Sequence, residues 1–405
     1  MKGFASEWER NPLNCYLEPS EEKNYDGIFS KEDVLSVSGD YGIVNQIEFK
    51  GRSFAGESVL NYGIVYTGDI VYTKSPLKET PYGIIKANMG KPGIVSTLYA
   101  VYHVKECNYP DFIQLYFENN DRLNRYLVPL VNKGAKNDMK ISSENALLGN
   151  VIFPEFNEQK EISEYLSKIK KLILQQEAKL KTLQVLKAAM LEKMFPKDGS
   201  DVPEVRFAGF SGTWQKYKLK DLTDRVVRKN SNNVSSLPLT ISAQYGLVDQ
   251  VTYFNNRVAS SNITNYYLMV KGEFAYNRSS SGGAPFGTIK RLDFYDKGVV
   301  STLYTVFSLK EGLPVDSDFM VVLFDTTTWH SSIAQRVAEG ARNHGLLNIT
   351  ANDFFDMDVT MPPSEEEQKK ISRYFSNINS HIALHQKKLE KVLNLKTALL
   401  EQMFV

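Results

Sequence analysis

Cysteine is scarce. Cys15 and Cys107 are the two in 405 residues, and they form no Cys-x-x-Cys. That excludes a disulfide framework and suits a reducing compartment. Long apolar runs are missing too. No stretch approaches the ~20 residues a membrane span needs, and Met-Lys-Gly-Phe-Ala-Ser-Glu at the start has no apolar signal core. A soluble, cytoplasmic chain with no membrane partner is expected. An excess of one charge is also lacking: the chain is net +1, with residues 1–150 at net −3 and residues 201–358 balanced. Contact with phosphate would need clustered charge, or a partner that supplies it.

Catalytic motifs are absent as well. A Rossmann fingerprint, a P-loop, His-Glu-x-x-His and a nucleophile elbow do not occur. Neither does the Asn-Pro-Pro-aromatic tetrapeptide of an adenine-N6 methyltransferase. Pro110-Asp111 with Glu158-Gln-Lys160 loosely fits a nuclease pattern, but Glu158 and Lys160 fit a helix start better. His381 and His385 are four apart, a metal-ligand spacing, yet Leu172 and Gln176 stand at the matching places of an internal repeat, which excludes a symmetric site. No catalytic and no metal residue is assigned.

What the chain does have is one long helix written twice. Pro154–Phe195 and Pro362–Phe404 match at an offset of 209, from Gln159 and Gln368 to Met194-Phe195 and Met403-Phe404. Steps of four and three residues pick out Ile162, Leu166, Ile169, Ile173, Gln176, Leu180, Leu183, Lys187, Met190 and Met194. In the second copy they pick out Ile371, Phe375, Ile378, Ile382, His385, Leu389, Val392, Lys396, Leu399 and Met403. This is the seam of a helix that packs on another long helix. The two lysines are read as drift of a 3.6-residue helix, with Leu186 and Leu395 taking over the seam. Antiparallel pairing about a pseudo-twofold axis would bring Gln176 and His385 together as a register contact. Two partly exposed polar residues fit equally well. Ser364 with Glu367 reads as a capping box, and Pro196 with Gly199 stops the first helix.

The repeat extends to the flanking modules. Phe4 and Trp8 match Phe210 and Trp214; Leu35-Ser-Val-Ser with Tyr41-Gly42 matches Leu239-Thr-Ile-Ser with Tyr245-Gly246. Gly68–Tyr72 matches Gly272–Tyr276, Tyr82–Lys86 matches Phe286–Lys290, Gly93–Tyr99 matches Gly298–Tyr304, and Lys133–Asn137 matches Glu339–Asn343. Alternation predicts strands over Gly63–Tyr72, Gly93–Val104, Leu268–Tyr276 and Val299–Leu309, and helices over 111–130 and 316–338. The second copy is led by Pro203-Glu-Val-Arg-Phe207, which the first lacks; the linker 196–203 joins the halves.

Glu-Gln-Lys-x-Ile after a proline, then a long helix ending in Met-Phe, resembles the repeated helical region of specificity (S) subunits of Type I restriction–modification enzymes. Pro203-Glu-Val-Arg-Phe-x-Gly-Phe, Trp214, Gly272–Asn277, Val300–Tyr304, Gly340–Asn343 and Leu347-Asn-Ile349 carry the likeness in the second copy. Gly134-Ala-Lys136 departs from it in the first, where the family has arginine. The resemblance implies an α+β fold: target recognition domains at 1–153 and 198–361, and long helices at 154–197 and 362–405 forming an antiparallel coiled coil with a pseudo-twofold repeat. It implies a non-catalytic subunit with no cofactor of its own. Each domain would read half of a split double-stranded DNA site. Two modification subunits would use S-adenosylmethionine to methylate adenine, and two restriction subunits would cleave. Side chains able to reach groove edges are Thr73, Lys74, Ser75, Lys86 and Lys91 in the first module, and Asn277, Arg278, Ser279, Lys290 and Arg291 in the second. Lys136 and Arg342 are expected to grip phosphate or hold the junction with the helix. A protein-assembly scaffold that reads no DNA, or an inactive shuffled specificity subunit, are the alternatives.

Overall fold

The computed structural model describes residues 7–74, 79–133, 139–242, 245–255, 259–260, 262–280, 283–337 and 346–404. Two compact units are present: one holds residues up to Gln176 and from Lys388 onward, the other Glu177–Lys387. The division crosses both long helices, Phe156–Lys193 and Glu365–Gln402.

The first unit is built on a four-stranded antiparallel sheet in the order Leu17–Pro19, Tyr99–Val104, Ile70–Thr73, Ile85–Ala87. Smaller ladders join Leu35–Ser38 to Gly42–Asn45, and Gly63–Val65 to Gly93–Val95. The strand Glu9–Pro12 pairs with Asn150–Phe153, so the module closes where the chain enters the long helix. Its core gathers Tyr72, Tyr102, Phe112, Phe153 and the buried seam residues Ile162, Leu166, Ile169 and Ile173. Leu389, Val392, Leu399 and Met403 of the second helix pack on that core.

The second unit repeats the plan. Its sheet runs Thr223–Val226, Thr305–Leu309, Phe274–Asn277, Thr288–Arg291. Its ladders are Leu239–Ser242 with Gly246–Asp249, Tyr267–Val270 with Lys297–Val300, and Gln215–Lys218 with Asp358–Met361. Its core takes Phe274, Phe307, Phe319 and Trp329 together with Met194 and Phe195 from the first helix and Ile371 and Phe375 from the second. In each unit, then, the start of one long helix meets the end of the other, which is antiparallel pairing. Every seam position of both helices is buried or half-buried.

Four expectations are corrected. Each predicted strand divides in two. At Gly68 and Gly272 the backbone turns with φ of 98° and 91°, a region glycine adopts without strain. The next residue stabilises that turn: Asp69 accepts the Tyr66 amide at 2.7 Å, and Glu273 the Val270 amide at 2.8 Å. The predicted helix 111–130 is two, Pro110–Tyr116 and Asn120–Leu127, because Asn119 caps the second by accepting the Arg122 amide. Likewise 316–338 divides into Ser317–Phe324 and His330–Ala334. The seam does not drift onto Leu186 and Leu395, which are exposed. Lys187 and Lys396 stay on it because Asp325 and Glu118 receive them at 3.3 and 3.1 Å. The capping box at Ser364 is half made: its hydroxyl accepts the Glu367 amide at 3.4 Å, but the Glu367 carboxylate is held by Arg206.

Candidate nucleic-acid interface

Each module carries a hairpin followed by a five-residue helix. In the first, Asn45 accepts the Ile47 and Glu48 amides at 2.9 and 3.2 Å and starts the helix Gln46–Lys50. In the second, Asp249 accepts the Val251 amide at 3.0 Å and starts Gln250–Phe254. Gln46 and Gln250 then tie down the segments that follow, by accepting the Phe54 and Ala259 amides at 2.6 Å.

With the backbone fixed in this way, the element presents aromatic rings to solvent. Tyr41 is 67% exposed and lies 5.3 Å from Phe49. Lys50 stands 4.6 Å over the Phe49 ring, and Arg52 stands 4.7 Å over Phe54. The second module exposes Tyr245, Tyr253 and Phe254, the last two rings 5.0 Å apart. Exposed aromatics beside cations are the chemistry that stacks on bases and complements phosphate. Sequence reading noticed Tyr41 and Tyr245 in the repeat but missed Phe49 and Tyr253. The signal was an aromatic at the same step of both copies.

The residues expected to read bases have varied settings. Lys91 is exposed, at a turn that Asn88 holds through the Lys91 carbonyl. Thr73 is buried at the end of a strand, its hydroxyl accepting the Ile84 amide at 2.9 Å. Lys74 is half-buried, and burial lowers its pKa against the pull of Glu144. Burial depresses Lys86 too, with Glu118 opposing. Asn277 accepts the Ser279 amide at 3.1 Å. Arg278 reaches the Ile349 carbonyl at 3.4 Å and leaves its Nε buried without an acceptor. Lys290 pairs with Asp325, which also receives Lys187. Arg291 is held by Asp293, Ser317 and Asp318 at 2.6, 2.8 and 2.6 Å. Thr73, Lys290 and Arg291 thus commit their polar groups inside the module. Ser75, Lys136 and Arg342 lie outside the described residues.

The Glu-Gln pair that opens each long helix has a structural role. Gln159 is 1% exposed; its Oε1 accepts the Tyr109 amide at 3.0 Å and its Nε2 donates to the Pro154 carbonyl at 2.9 Å. Gln368 does the same with the Asp316 amide at 2.8 Å and the Pro362 carbonyl at 2.9 Å. The Pro110-Asp111 segment therefore lies beside Gln159 as a helix start. Among the described residues no group of three His, Cys, Asp or Glu could hold a metal ion. No described helix is long and apolar enough to cross a membrane.

No family model matches the sequence, and no curated protein matches it. Solved structures do. The S subunit of a Type I restriction–modification system from M. genitalium is 11% identical, covers 100% of this chain and 98% of its own, and superposes with a TM-score of 0.58. The HsdS subunit from Thermoanaerobacter tengcongensis is 14% identical over 99% and 97%, with a TM-score of 0.45. A chain from work on assembly and conformational transition of the type I R-M system is 13% identical over 100% and 99%, with a TM-score of 0.49. At 0.58 over the whole length, the chain has the fold of a Type I specificity subunit.

Proposed function

We propose that this chain is the DNA-reading subunit of a Type I restriction–modification enzyme and has no catalysis of its own. The observation that carries the reading is the whole-chain likeness to an S subunit at a TM-score of 0.58, on a chain that is itself two copies of one module and one helix. Each module reads half of a bipartite target. The domains fall at 1–153 and 198–361, and the helices set the gap between half-sites. Each helix has 38 residues, so ~57 Å at 1.5 Å per residue, against ~34–36 Å for a turn of DNA. The exposed aromatics at Tyr41–Phe54 and Tyr245–Phe254, with Lys91 and the Asn277–Ser279 turn, face the duplex.

The partners follow from that role. Two modification subunits, carrying S-adenosylmethionine, dock on the helices, where Leu172 and Leu174 in one unit and Val185 and Leu186 in the other expose apolar surface. Two restriction subunits join that complex. The base to be methylated is flipped into the modification subunit, and this chain supplies grip and sequence.

Methylation mapping in a host that carries the chain with its modification partner tests the reading. A two-part motif with methyladenine in both halves is expected. Methylation without sequence preference, or none while the complex assembles, would replace it with an assembly scaffold.

A further inference from the structure

Each module joins the long helices through the same three rings. Trp8 lies 6.1 Å from Phe404 and 6.0 Å from Phe112; Trp214 lies 5.6 Å from Phe195 and 6.0 Å from Phe319. Beside each set a glutamate at the start of the other long helix is clamped. Glu158 accepts the Trp8 indole at 3.3 Å, and Glu367 accepts Arg206 on both oxygens at 2.7 and 2.8 Å. A further contact is common to both units. An acid stands just past a module helix, Glu118 after Pro110–Tyr116 and Asp325 after Ser317–Phe324. Each donates its amide to the carbonyl three residues back, Leu115 or Val322, so the two acids hold the same place in the plan. Each receives a lysine from a long helix: Lys396 meets Glu118 at 3.1 Å, and Lys187 meets Asp325 at 3.3 Å. Each also faces a lysine of the sheet. Lys290 bonds the other oxygen of Asp325, and the charge of Glu118 acts on the buried Lys86.

Rings and seam attract without fixing a direction, because burial of apolar surface is non-directional. A charged hydrogen bond has a direction, and partial burial strengthens it. The side chains of Glu118 and Asp325 are only 12% and 20% exposed. Both acids also stand at the C-terminal end of a helix, where the dipole favours a second cation. We infer that Glu118 and Asp325 are positioning residues: each fixes the angle at which its module stands on the long helix that supplies the lysine. The angle matters because a module of about 150 residues has a radius of gyration of ~15 Å, and base pairs are ~3.4 Å apart. A turn of roughly 13° at the helix moves a side chain at that radius by one base pair. Helix length therefore sets the coarse gap between half-sites, and the two acids set the fine one. The angle follows from the contacts alone; its effect on DNA rests on the function proposed above.

The test has two arms, both on the full chain. Lys187→Met and Lys396→Met remove the helix lysine, keep its aliphatic stem and leave each acid its sheet lysine. Lys187→Arg and Lys396→Arg restore the cation. The first arm reads the angle without DNA. Spin labels go on Val185→Cys and Phe294→Cys, both exposed in the second unit, with Cys15→Ser and Cys107→Ser. Lys187→Met should widen the label-to-label distance distribution, and Lys187→Arg should return it to the parent width. An unchanged distribution overturns the inference. The second arm follows methylation by the chain with its modification partner, on duplexes whose mapped two-part motif has its gap lengthened or shortened by one base pair. Each methionine variant should lose about tenfold of the parent's preference for its own gap, with the base preference inside each half kept. A parent that prefers one gap and methionine variants that prefer it equally also overturn the inference. A parent with no two-part motif refutes the DNA-reading function instead, and the angle is then decided by the first arm.

Discussion

The two modules share a framework to the level of single hydrogen bonds and differ where side chains reach their partners. The glutamine clamps, the three-ring joints and the acid after the turn glycine recur in both. The acid keeps its place but not its partner: Asp69 meets His103 at 2.8 Å, and Glu273 meets Arg228 at 2.8 and 2.9 Å. The clamp on the helix glutamate is filled by arginine in one unit and by an indole in the other. The lesson is that backbone-directed bonds specify the shape of a module, while side-chain pairs around it can be exchanged.

The sharpest way to break the comparison is at the glutamates. Arg206→Ala would strand the buried Glu367 carboxylate, and removing one partner of a buried pair costs about 3–5 kcal/mol. Glu158→Gln keeps the shape and the Trp8 acceptor, and should cost less than about 1 kcal/mol. Denaturant unfolding of the full chain measures both. Similar losses would mean that the two sites are equivalent despite their different partners.

Next come the exposed rings, which test whether the modules read separate halves. Phe49→Ala and Tyr253→Ala each remove a ring the core does not need. If a base stacks on it, each change should weaken binding of the complex with its modification partner by about 1–3 kcal/mol, roughly 5- to 150-fold. Each should act through one half-site only. Binding to duplexes with one half scrambled separates the two. An effect of either change on both halves would contradict one module per half.

Much of this architecture was legible in the sequence. The seam was readable because Ile162 to Met194 keep one period over ten positions, and a helix conveys its period whatever it packs against. The strands were legible in position but not in extent, because Gly68 and Gly272 sit inside alternating runs and the turn depends on the acid that follows. The site was least legible. Lys290 and Arg291 read as exposed base readers, and what the sequence does not show is that Asp325 and Asp318, far along the chain, pair with them. Lys187 and Lys396 were placed correctly in the seam and explained wrongly, for the same reason. Gly83 and Gly287 fall at the same step of the two copies, and the structure adds the reason: a Cβ there would run into the Thr73 and Asn277 carbonyls.

A smaller difference lies in the lysines on the edge strands Ile85–Ala87 and Thr288–Arg291 of the two sheets. Lys290 is paired with Asp325, and both are mostly buried. Lys86 occupies the same step, and burial lowers its pKa while Glu118 bonds Lys396 at 3.1 Å. Lys290→Met removes a cation from a carboxylate that still holds Lys187, so a loss of about 1–2 kcal/mol is expected. Lys86→Met removes a charge that burial disfavours and keeps the aliphatic stem, so the expected change is within about 0.5 kcal/mol or a gain. The pH dependence has a definite sign. A lysine whose folded pKa is depressed penalises the fold while protonated, and the penalty lifts as pH rises through the folded pKa toward the unfolded one. Alkaline unfolding of the parent should therefore show a stabilising contribution that Lys86→Met abolishes and Lys290→Met retains.

The smallest difference is at the indoles. Trp8 donates to Glu158, whereas Trp214 donates to nothing. Replacing each by phenylalanine removes ring volume in both units but a hydrogen bond in only one. A bond to a charged acceptor contributes about 1.5–3 kcal/mol at its strongest, and 3.3 Å is long, so Trp8→Phe should exceed Trp214→Phe by about 1 kcal/mol. The packing loss common to both rings cancels in the difference. A larger loss at Trp214 would mean that its indole nitrogen has an acceptor in solution, and the exchange of partners between the two clamps would then be incomplete.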